Sequence, residues 1–273
     1  GSHLDTQPTG GKFDGVYGVL AGLEVIRTLN DHNYATRHPI EVVVWTNEEG
    51  SRFAPAMVAS GVFAGEFPLE YGLSRTDLNG VTIGQELDRL GYAGMRVCGG
   101  QPVHAYFEAH IEQGPILEAE RRVIGVVQGL QGQRWFDCTV QGMESHAGTT
   151  PMPRRRDALL GAMRLVQAVQ EAALAEAPCG VGTVGQLLVH PNSPNVIPGR
   201  VDFSIDLRHP EDGPLKAMAE AVCAALDRLS DLGLTGTLQE IWYAPPTPFQ
   251  PDCIAAVRRA AEYLHLPHMD MIS

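Results

Sequence analysis

Two short glycine-rich segments near the start of the chain carry a histidine and several carboxylates. The first segment, GSHLDTQPTGGKFDG, contains His3, Asp5 and Asp14, and the second, WTNEEG, contains Glu48 and Glu49. Imidazole and carboxylate groups are ligands of divalent metals such as zinc, and a bound metal lets water act as a nucleophile at neutral pH. The two segments therefore indicate a site for one or two divalent metals with an acid or base beside it, as in a metal-dependent hydrolase.

The elements around these segments are typical of an α/β sheet. Apolar residues recur at helical spacing over 14–30, and the β-branched run IEVVVWT at 40–46 predicts a strand that is buried on both faces. A second strand is predicted over about 104–111, where EAHIEQG brings His110 and Gln113 to its end. Because ligands bind at the carboxyl edge of open α/β sheets, we expect the polar residues that follow both strands to meet there.

Each residue of the two segments also has an ordinary structural explanation. Asp14 could cap the helix or bridge two metals, and Asp5 could hold the second ring nitrogen of His3 or lie in a surface loop. Glu48 and Glu49 would face opposite sides of a strand, so that one could bind metal while the other accepts a proton. Two adjacent glutamates also form ordinary acidic turns. Taken together, the residues favour the metal site.

Four further residues have side chains suited to binding a metal or a substrate. His110 is either a hydrogen-bonded histidine or a ligand, and His146 in SHAGTTP is either a loop residue or a donor to a developing oxyanion. Asn195 in PNSPNVIPG is a turn former by default. Arg208 ends a strand, where it forms a surface ion pair or holds a substrate carboxylate. The residues alone leave these alternatives open.

The second half of the chain predicts a compact α+β unit over about 122–240. Its predicted strands lie at 123–141, 182–190 and 201–208. Its predicted helices lie at 154–175 and 213–230. In the strand VDFSIDLR, alternate apolar residues are expected to point inward. A further helix over 251–264, after the proline-rich APPTPF, is expected to return to the first domain.

Composition excludes several partners and indicates a compartment. The formal net charge of −12 argues against a nucleic acid or an anionic membrane surface as partner. No apolar run reaches the roughly 18 residues that span a bilayer. The five cysteines are widely spaced and include no C-x-x-C pair, which is typical of a protein in a reducing compartment. We therefore expect a cytoplasmic protein.

Six motifs occur in a characteristic order along the chain: GSHLDTQPTGGKFDG, WTNEEGSRF, HIEQGPILE, SHAGTTPMPRRRDAL, PNSPNVIPG and DLRHP. In this order they closely resemble the amidase, hydantoinase/carbamoylase family. That family contains N-carbamoyl-L-amino-acid hydrolases, β-ureidopropionases and allantoate amidohydrolases, and it belongs to the dinuclear metallopeptidase superfamily. The resemblance covers essentially the whole chain.

The resemblance implies two divalent metal ions in each complete subunit, and zinc, manganese, cobalt and nickel all suit nitrogen and oxygen ligands. The family's metal-binding positions are occupied by His3 and His110 for one ion, Glu49 for the other and Asp14 between them. Glu48 corresponds to the general base, and Asp5 to the residue that orients the histidine two positions before it.

The family's substrate-binding positions are occupied by Gln113, His146, Asn195 and Arg208. In the family, the histidine of the SHAGTTP segment crosses a dimer interface to the scissile carbonyl oxygen of the partner's substrate. The resemblance thus implies a homodimer formed through residues 122–240, a lid and dimerisation domain. It also implies an α/β catalytic domain, formed by 1–121 and 241–273, in which a mixed sheet has helices on both faces.

The resemblance further implies hydrolysis of the ureido C–N bond of an N-carbamoyl amino acid, a small molecule with a carboxylate. Allantoate amidohydrolase is the alternative within the family, and a dipeptidase fits the motifs less well. Family members carry another metal-binding histidine after a stretch like HMDMIS, whereas this chain ends at Ser273. We therefore expect a truncated catalytic domain with one impaired metal site and little activity. The alternative of another class is a non-catalytic fragment or relative that acts in dimer assembly or ligand binding.

Overall fold

The computed structural model describes residues 1–273, which form two compact units, Gly1–Glu120 and Arg121–Ser273. The first unit has one long helix, four short helices and a two-stranded sheet. Strand β1 (Ser2–His3) pairs in parallel with β2 (Val44–Trp45). The helices of this unit are α1 (Val16–Asp31), α2 (Val58–Ala64), α3 (Leu69–Leu73), α4 (Ile83–Leu90) and α5 (Ile116–Ala119).

The helix predicted over 14–30 is confirmed as α1, but the strands of the first unit are shorter than predicted. The run at 40–46 contributes only the two residues of β2, because its partner β1 is itself only two residues long. The prediction of a strand over 104–111 is wrong, since no residue of that segment pairs in a sheet. An apolar, β-branched run can be extended without a ladder, because a strand needs a neighbour that offers its backbone groups in register.

The second unit contains most of the regular structure. Its strands are β3 (Ile124–Val127), β4 (Gly129–Leu130), β5 (Gly132–Gln141), β6 (Ser145–His146), β7 (Val181–Thr183), β8 (Leu187–His190), β9 (Val196–Ile197), β10 (Arg200–His209), β11 (Thr235–Ala244), β12 (Thr247–Pro248) and β13 (His268–Met271). Its helices are α6 (Ala158–Ala175), α7 (Asp212–Asp227) and α8 (Pro251–Tyr263), with 3₁₀ turns at Met152–Arg154 and Arg228–Leu232. The strand predicted over 123–141 is therefore divided into three.

An antiparallel sheet with two helices forms the core of this unit. The strand order is β11-β5-β10-β7, and β8 also pairs with β10. The alternation predicted for VDFSIDLR is confirmed, because Val201, Phe203, Ile205 and Leu207 are all buried. They belong to one apolar cluster with side chains of α6 and α7, such as Leu165 and Met218. The sequence thus forms this layer because one face of each long strand and one face of each helix are apolar.

The segment after the core sheet pairs with the start of the second unit. Strand β12 pairs with β4, and β13 runs parallel to β3. The mixed α/β fold class is confirmed, whereas the domain limits of 1–121 with 241–273 and of 122–240 stay a prediction. No helix in the chain has both the length and the apolar character needed to cross a bilayer. All five cysteines are unpaired.

Candidate metal centre

The first unit brings three acceptor atoms of distant residues together. His3 Nε2 lies 3.4 Å from His110 Nε2. Asp14 Oδ1 lies 3.7 Å from His3 Nε2 and 3.2 Å from His110 Nε2. His3 and Asp14 are almost completely buried, with 3% and 1% of their surface exposed, while His110 is more open to solvent. These residues are up to 107 positions apart in the sequence, so their meeting is a property of the fold.

The hydrogen bonds behind the two rings determine which nitrogens are protonated. His3 Nδ1 lies 2.8 Å from the carbonyl oxygen of Asp5, and His110 Nδ1 lies 2.9 Å from that of Ile111. A carbonyl oxygen only accepts, so in each neutral ring Nδ1 carries the proton and Nε2 presents a lone pair. The two Nε2 atoms and Asp14 Oδ1 therefore face one another without a proton between them.

Asp14 has one satisfied and one unsatisfied oxygen. Its Oδ2 accepts a hydrogen bond from Gln113 Nε2 at 2.7 Å, whereas its Oδ1 is buried and has no hydrogen-bond partner. A buried carboxylate oxygen without a donor is costly unless a cation compensates it. Two imidazole nitrogens and a carboxylate oxygen are a ligand set that zinc and related divalent metals accept. The residues present thus fit a divalent metal ion.

Glycines allow the histidine-bearing strand to pack against α1. Gly15, which precedes the helix, has φ +67°, and a Cβ atom there would lie 2.5 Å from His3 Nδ1. A Cβ atom at Gly18 would collide with the carbonyl oxygen of Ala109 and with Ser2. Ser2 and Glu108 are hydrogen-bonded through their side chains, which ties β1 to the segment that carries His110. Side-chain contacts thus replace the sheet pairing that the sequence predicted here.

Glu48 and Glu49 lie in a turn that Asp5 anchors. The backbone N–H groups of Glu48 and Glu49 donate to Asp5 Oδ1 and Oδ2, at 3.1 and 2.9 Å. Asn47 has φ +57°, and its side-chain amide donates to the carbonyl oxygen of Phe53 at 2.7 Å. The turn brings Glu48 Oε2 to 3.6 Å from His3 Nε2. His3, Glu48 and Glu49 also form a second group of closely spaced ligand atoms.

Burial and mutual proximity shift the pKa values of this cluster. Burial raises the pKa of Glu48, with the Asp5 and Glu108 carboxylates adding to the effect. Burial also raises the pKa of Glu49, as does hydrogen bonding to Asp14. Burial opposes protonation of His3, but its hydrogen bond to the Asp5 carbonyl and the nearby carboxylates outweigh this, so that the pKa of His3 is raised. The raised pKa values mean that the cluster favours bound protons, because its carboxylates are partly buried and lie close together. A bound cation would compensate the same negative charge.

Two sequence predictions are refined by this geometry, and one important residue was missed. Asp5 orients His3 through its backbone carbonyl, while its carboxylate holds the glutamate turn, 3.9 Å from His3 Nδ1. Gln113 contacts Asp14. The sequence analysis did not single out Asn47, although asparagine tolerates the left-handed backbone that this turn requires.

The second unit orients His146 through a short loop. His146 ends β6, which pairs with β9, and its Nδ1 accepts hydrogen bonds from the backbone N–H groups of Gly148 and Thr149 at 3.1 and 3.3 Å. In the neutral ring, Nε2 therefore carries the proton. The His146 side chain is exposed to solvent. Asn195 is close by, because its carbonyl oxygen accepts from the N–H of Ala147 at 2.9 Å. Its Oδ1 accepts from the Ser193 hydroxyl.

Arg208 lies at the other end of the long strand. Its guanidinium forms a two-point ion pair with Asp206, at 2.8 to 3.1 Å. The pairing of β5 with β10 ends at Gln141 and Arg200, and β6 and β9 lie just beyond that end. Arg208 lies on β10 eight residues away from that end, in the opposite direction. At roughly 3.3 Å per residue, Arg208 is about 26 Å from that end. One chain therefore does not bring Arg208 together with Asn195 and His146.

Comparison with known proteins shows similarity over the full chain. A solved structure from Burkholderia vietnamiensis, an amidase of the hydantoinase/carbamoylase family, is 62% identical with a TM-score of 0.93 and covers 100% of this chain and 66% of its own. An N-carbamoyl-L-amino-acid amidohydrolase of Rhizobium meliloti is 50% identical over 100% of this chain and 66% of its own length. An allantoate amidohydrolase of Bacillus subtilis is 33% identical over 96% and 64%.

The chain spans about two thirds of the length of these relatives. The family described as "Peptidase family M20/M25/M40" matches residues 1–273. The predicted resemblance is confirmed by this match and by the solved hydantoinase/carbamoylase amidases. The chain belongs to peptidase family M20/M25/M40.

Proposed function

We propose that the protein is a metal-dependent hydrolase that cleaves the ureido C–N bond of N-carbamoyl amino acids. The observation that carries this proposal is the group of three acceptors, His3 Nε2, His110 Nε2 and the partnerless Asp14 Oδ1, which face one another within 3.7 Å. The names of the more similar relatives support the choice of substrate class. The overall change adds water to the carbamoyl group and releases ammonia, carbon dioxide and the amino acid.

We assign the metal ligands to His3, His110, Asp14 and Glu49, with Asp14 between two sites. Divalent cations bound there would polarise the carbamoyl oxygen and lower the pKa of water. For the 273 residues described here, we propose one tightly held cation and low turnover. His3, Asp14 and His110 form a complete three-donor group, whereas the group of Glu48 and Glu49 depends on the same His3. Zinc, manganese, cobalt and nickel all fit these donors.

Glu48 is our candidate for the general base. Its carboxylate lies beside the acceptor group but outside it, 3.6 Å from His3 Nε2, and Asp5 fixes its backbone. Burial raises the pKa of Glu48, which moves its proton affinity towards that of a useful base at neutral pH. Glu48 would take a proton from the attacking water and hold it for the departing nitrogen.

His146, Asn195, Arg208 and Gln113 are proposed to bind the substrate. A neutral His146 with its proton on Nε2 is suited to donate to the carbamoyl oxygen as negative charge develops there. Arg208 offers a planar fork for the substrate carboxylate, once its pairing with Asp206 is shared or exchanged. The separation of about 26 Å along β10 supports a homodimer through residues 122–240. In such a dimer, one copy would contribute Arg208 to a substrate site and the other copy would contribute His146 and Asn195.

An ammonia-release assay tests the proposed function. The metal-loaded protein would be supplied with N-carbamoyl-α-amino acids, N-carbamoyl-β-alanine, allantoate and a dipeptide. We expect release from the N-carbamoyl compounds, lost on chelation and restored by the added cation. Release from allantoate alone would favour the alternative that the B. subtilis relative suggests. Cleavage of the dipeptide alone would contradict the proposal.

A second candidate function is a non-catalytic role in dimer assembly or ligand binding. It would require that the protein bind a ureido compound without releasing ammonia under any metal loading. Calorimetric titration with an N-carbamoyl amino acid, run beside the assay, separates the two functions. We also propose a cytoplasmic location, which the five unpaired cysteines support.

A further inference from the structure

We propose that Arg155 is a positioning residue that fixes the tautomer of His146 through one peptide plane. The inference deepens the proposed function and depends on it for the role of the histidine as a donor. Arg155 is the middle residue of a run of three arginines, Arg154–Arg156, which starts at the last residue of a 3₁₀ turn and precedes α6. Sequence analysis gave no role to any of the three.

The guanidinium of Arg155 closes the loop that follows His146. Its Nη2 donates to the carbonyl oxygen of Ala147 at 2.7 Å, and its Nε donates to the carbonyl oxygen of Thr150 at 3.1 Å. The N–H of Thr150 in turn donates to the carbonyl oxygen of His146 at 3.2 Å. Both bonds of the guanidinium are partly buried, and hydrogen bonds from a charged donor are stronger than neutral ones.

The peptide bond between Ala147 and Gly148 connects this contact to the imidazole. In a trans peptide, the carbonyl of one residue and the N–H of the next point in opposite directions. Arg155 holds the carbonyl oxygen of Ala147 on one side, which directs the N–H of Gly148 to the other side. That N–H donates to His146 Nδ1 at 3.1 Å. The contact thus selects an unprotonated Nδ1 and leaves the proton on Nε2.

The loop packs closely around the imidazole, so a small rotation of the Ala147–Gly148 peptide plane changes what Nδ1 faces. A Cβ atom at Gly148 would lie 3.2 Å from His146 Cε1, so the ring packs directly on the backbone of the residue that holds it. The other side of the loop is tied to β9, since the N–H of Ala147 donates to the carbonyl oxygen of Asn195. Of the two N–H groups on Nδ1, that of Gly148 is nearer and is the one that Arg155 directs.

The test compares Arg155→Gln with Arg154→Gln. Arg154 is a matched control, because it is an exposed arginine of the same run whose guanidinium makes no hydrogen bond or ion pair. The first measurement is the ¹⁵N NMR spectrum of the histidine rings of the metal-free chain, in which Nδ1 and Nε2 have different shifts. We expect His146 to carry its proton on Nε2 in the wild type and in Arg154→Gln, and to become a mixture of tautomers in Arg155→Gln.

The second measurement is turnover of an N-carbamoyl amino acid by the metal-loaded protein. Only the tautomer with its proton on Nε2 can act as the donor, so kcat should fall in proportion to the share of that tautomer, by about twofold for an equal mixture, while KM changes little. Arg155→Lys should restore part of the wild-type tautomer, because an ammonium can still reach one carbonyl oxygen. This variant also provides the result if Arg155→Gln does not fold.

Three outcomes would overturn the inference. They are an unchanged His146 tautomer in Arg155→Gln, an equal change in Arg154→Gln, and an Arg155→Lys chain that folds but shows no more of the Nε2 proton than the glutamine variant. Because the NMR measurement needs neither metal nor substrate, it stands even if the wild-type protein releases no ammonia. That last result would contradict the proposed function and leave the tautomer to be judged by its spectrum.

Discussion

The two units of this chain position their polar residues in opposite ways. In the first unit, the candidate ligands lie on a two-residue strand, on a turn and on a segment without sheet pairing, and side-chain hydrogen bonds hold them. In the second unit, ten-residue strands and two long helices form the core, and His146 and Arg208 lie towards opposite ends of the long strand. Single polar contacts should therefore matter most in the first unit, and apolar packing in the second.

The largest effect is expected where the first unit carries the proposed base. Glu48→Gln keeps the size of the side chain but removes its ability to take a proton, so turnover should fall by about 10²–10⁴. Metal content, measured by elemental analysis, should be unchanged. Glu70→Gln, on an exposed residue of α3, is the control. A Glu48→Gln protein with near-full ammonia release would exclude this residue as the base.

The matching change in the second unit should also reduce turnover and leave the metal in place. His146→Ala removes the proposed oxyanion donor, and we expect a loss of about 10²–10³ in kcat. His190→Ala, at an exposed histidine of β8, should have little effect on kcat. If His146→Ala lowered metal content as well, the separation of roles between the units would be wrong.

Packing is expected to matter most in the second unit. Leu165 of α6 is completely buried, and Leu165→Ala should lower the free energy of unfolding by about 2–5 kcal/mol. Leu160→Ala, on the exposed side of the same helix, should cost less than about 0.5 kcal/mol. Urea titrations followed by circular dichroism measure both. Metal affinity that fell with Leu165→Ala would show that the first unit depends on this core.

A smaller effect of unusual sign is expected at Asp14. In Asp14→Asn, the amide oxygen can still accept from Gln113, and the NH₂ group can donate to a histidine Nε2. Relieving the unsatisfied oxygen should stabilise the metal-free chain by about 1 kcal/mol. The same change should abolish the stabilisation that added cobalt or zinc gives to the wild type. Thermal unfolding with and without metal tests this, and a metal-free variant less stable than the wild type would contradict it.

The smallest effect is expected at an exposed ion-pair network of the first unit. Hydrogen bonds from Arg89 and Arg52 lower the pKa of Glu86 from 4.5 to about 2. A lowered pKa in the folded state means that the stabilisation is present above about pH 4.5 and is lost as the pH falls towards 2. Glu86→Gln should therefore flatten the decline in stability over this range, and only slightly, because both arginine side chains are exposed to solvent. Glu24→Gln is the control, with urea unfolding at pH 5 and pH 3 as the measurement.

The same contrast explains what the sequence could predict. Alternation along VDFSIDLR and helical spacing in α6 and α7 predicted the core of the second unit, because burial of one face imposes a period. Strand β11 was missed, and a bulge between Glu240 and Trp242 interrupts its alternation. The segment 104–111 was predicted as a strand from its apolar run. That prediction failed because such a run carries no information about whether a neighbouring strand is in register.

The candidate site was predicted mainly from the order of its motifs. Spacing alone did not require that His110 meet His3 or that Asp14 lie between them, since each residue also suits a loop or a helix cap. The family resemblance supplied those pairings, and the structure brings the three side chains together. The part played by the Asp5 carbonyl could not be predicted, because every residue has a carbonyl and only the fold decides which one a ring contacts.

Gly15 shows that the location of an imidazole can be recorded in a residue with no functional group. A methyl group there would collide with the His3 ring and backbone, so Gly15→Ala would displace a candidate ligand while leaving every candidate ligand in the sequence. A search that scores only histidines and carboxylates would accept such a chain as an intact hydrolase. To identify active members of this family from sequence, the small residues that pack against the candidate ligands must therefore be checked as well as the ligands themselves.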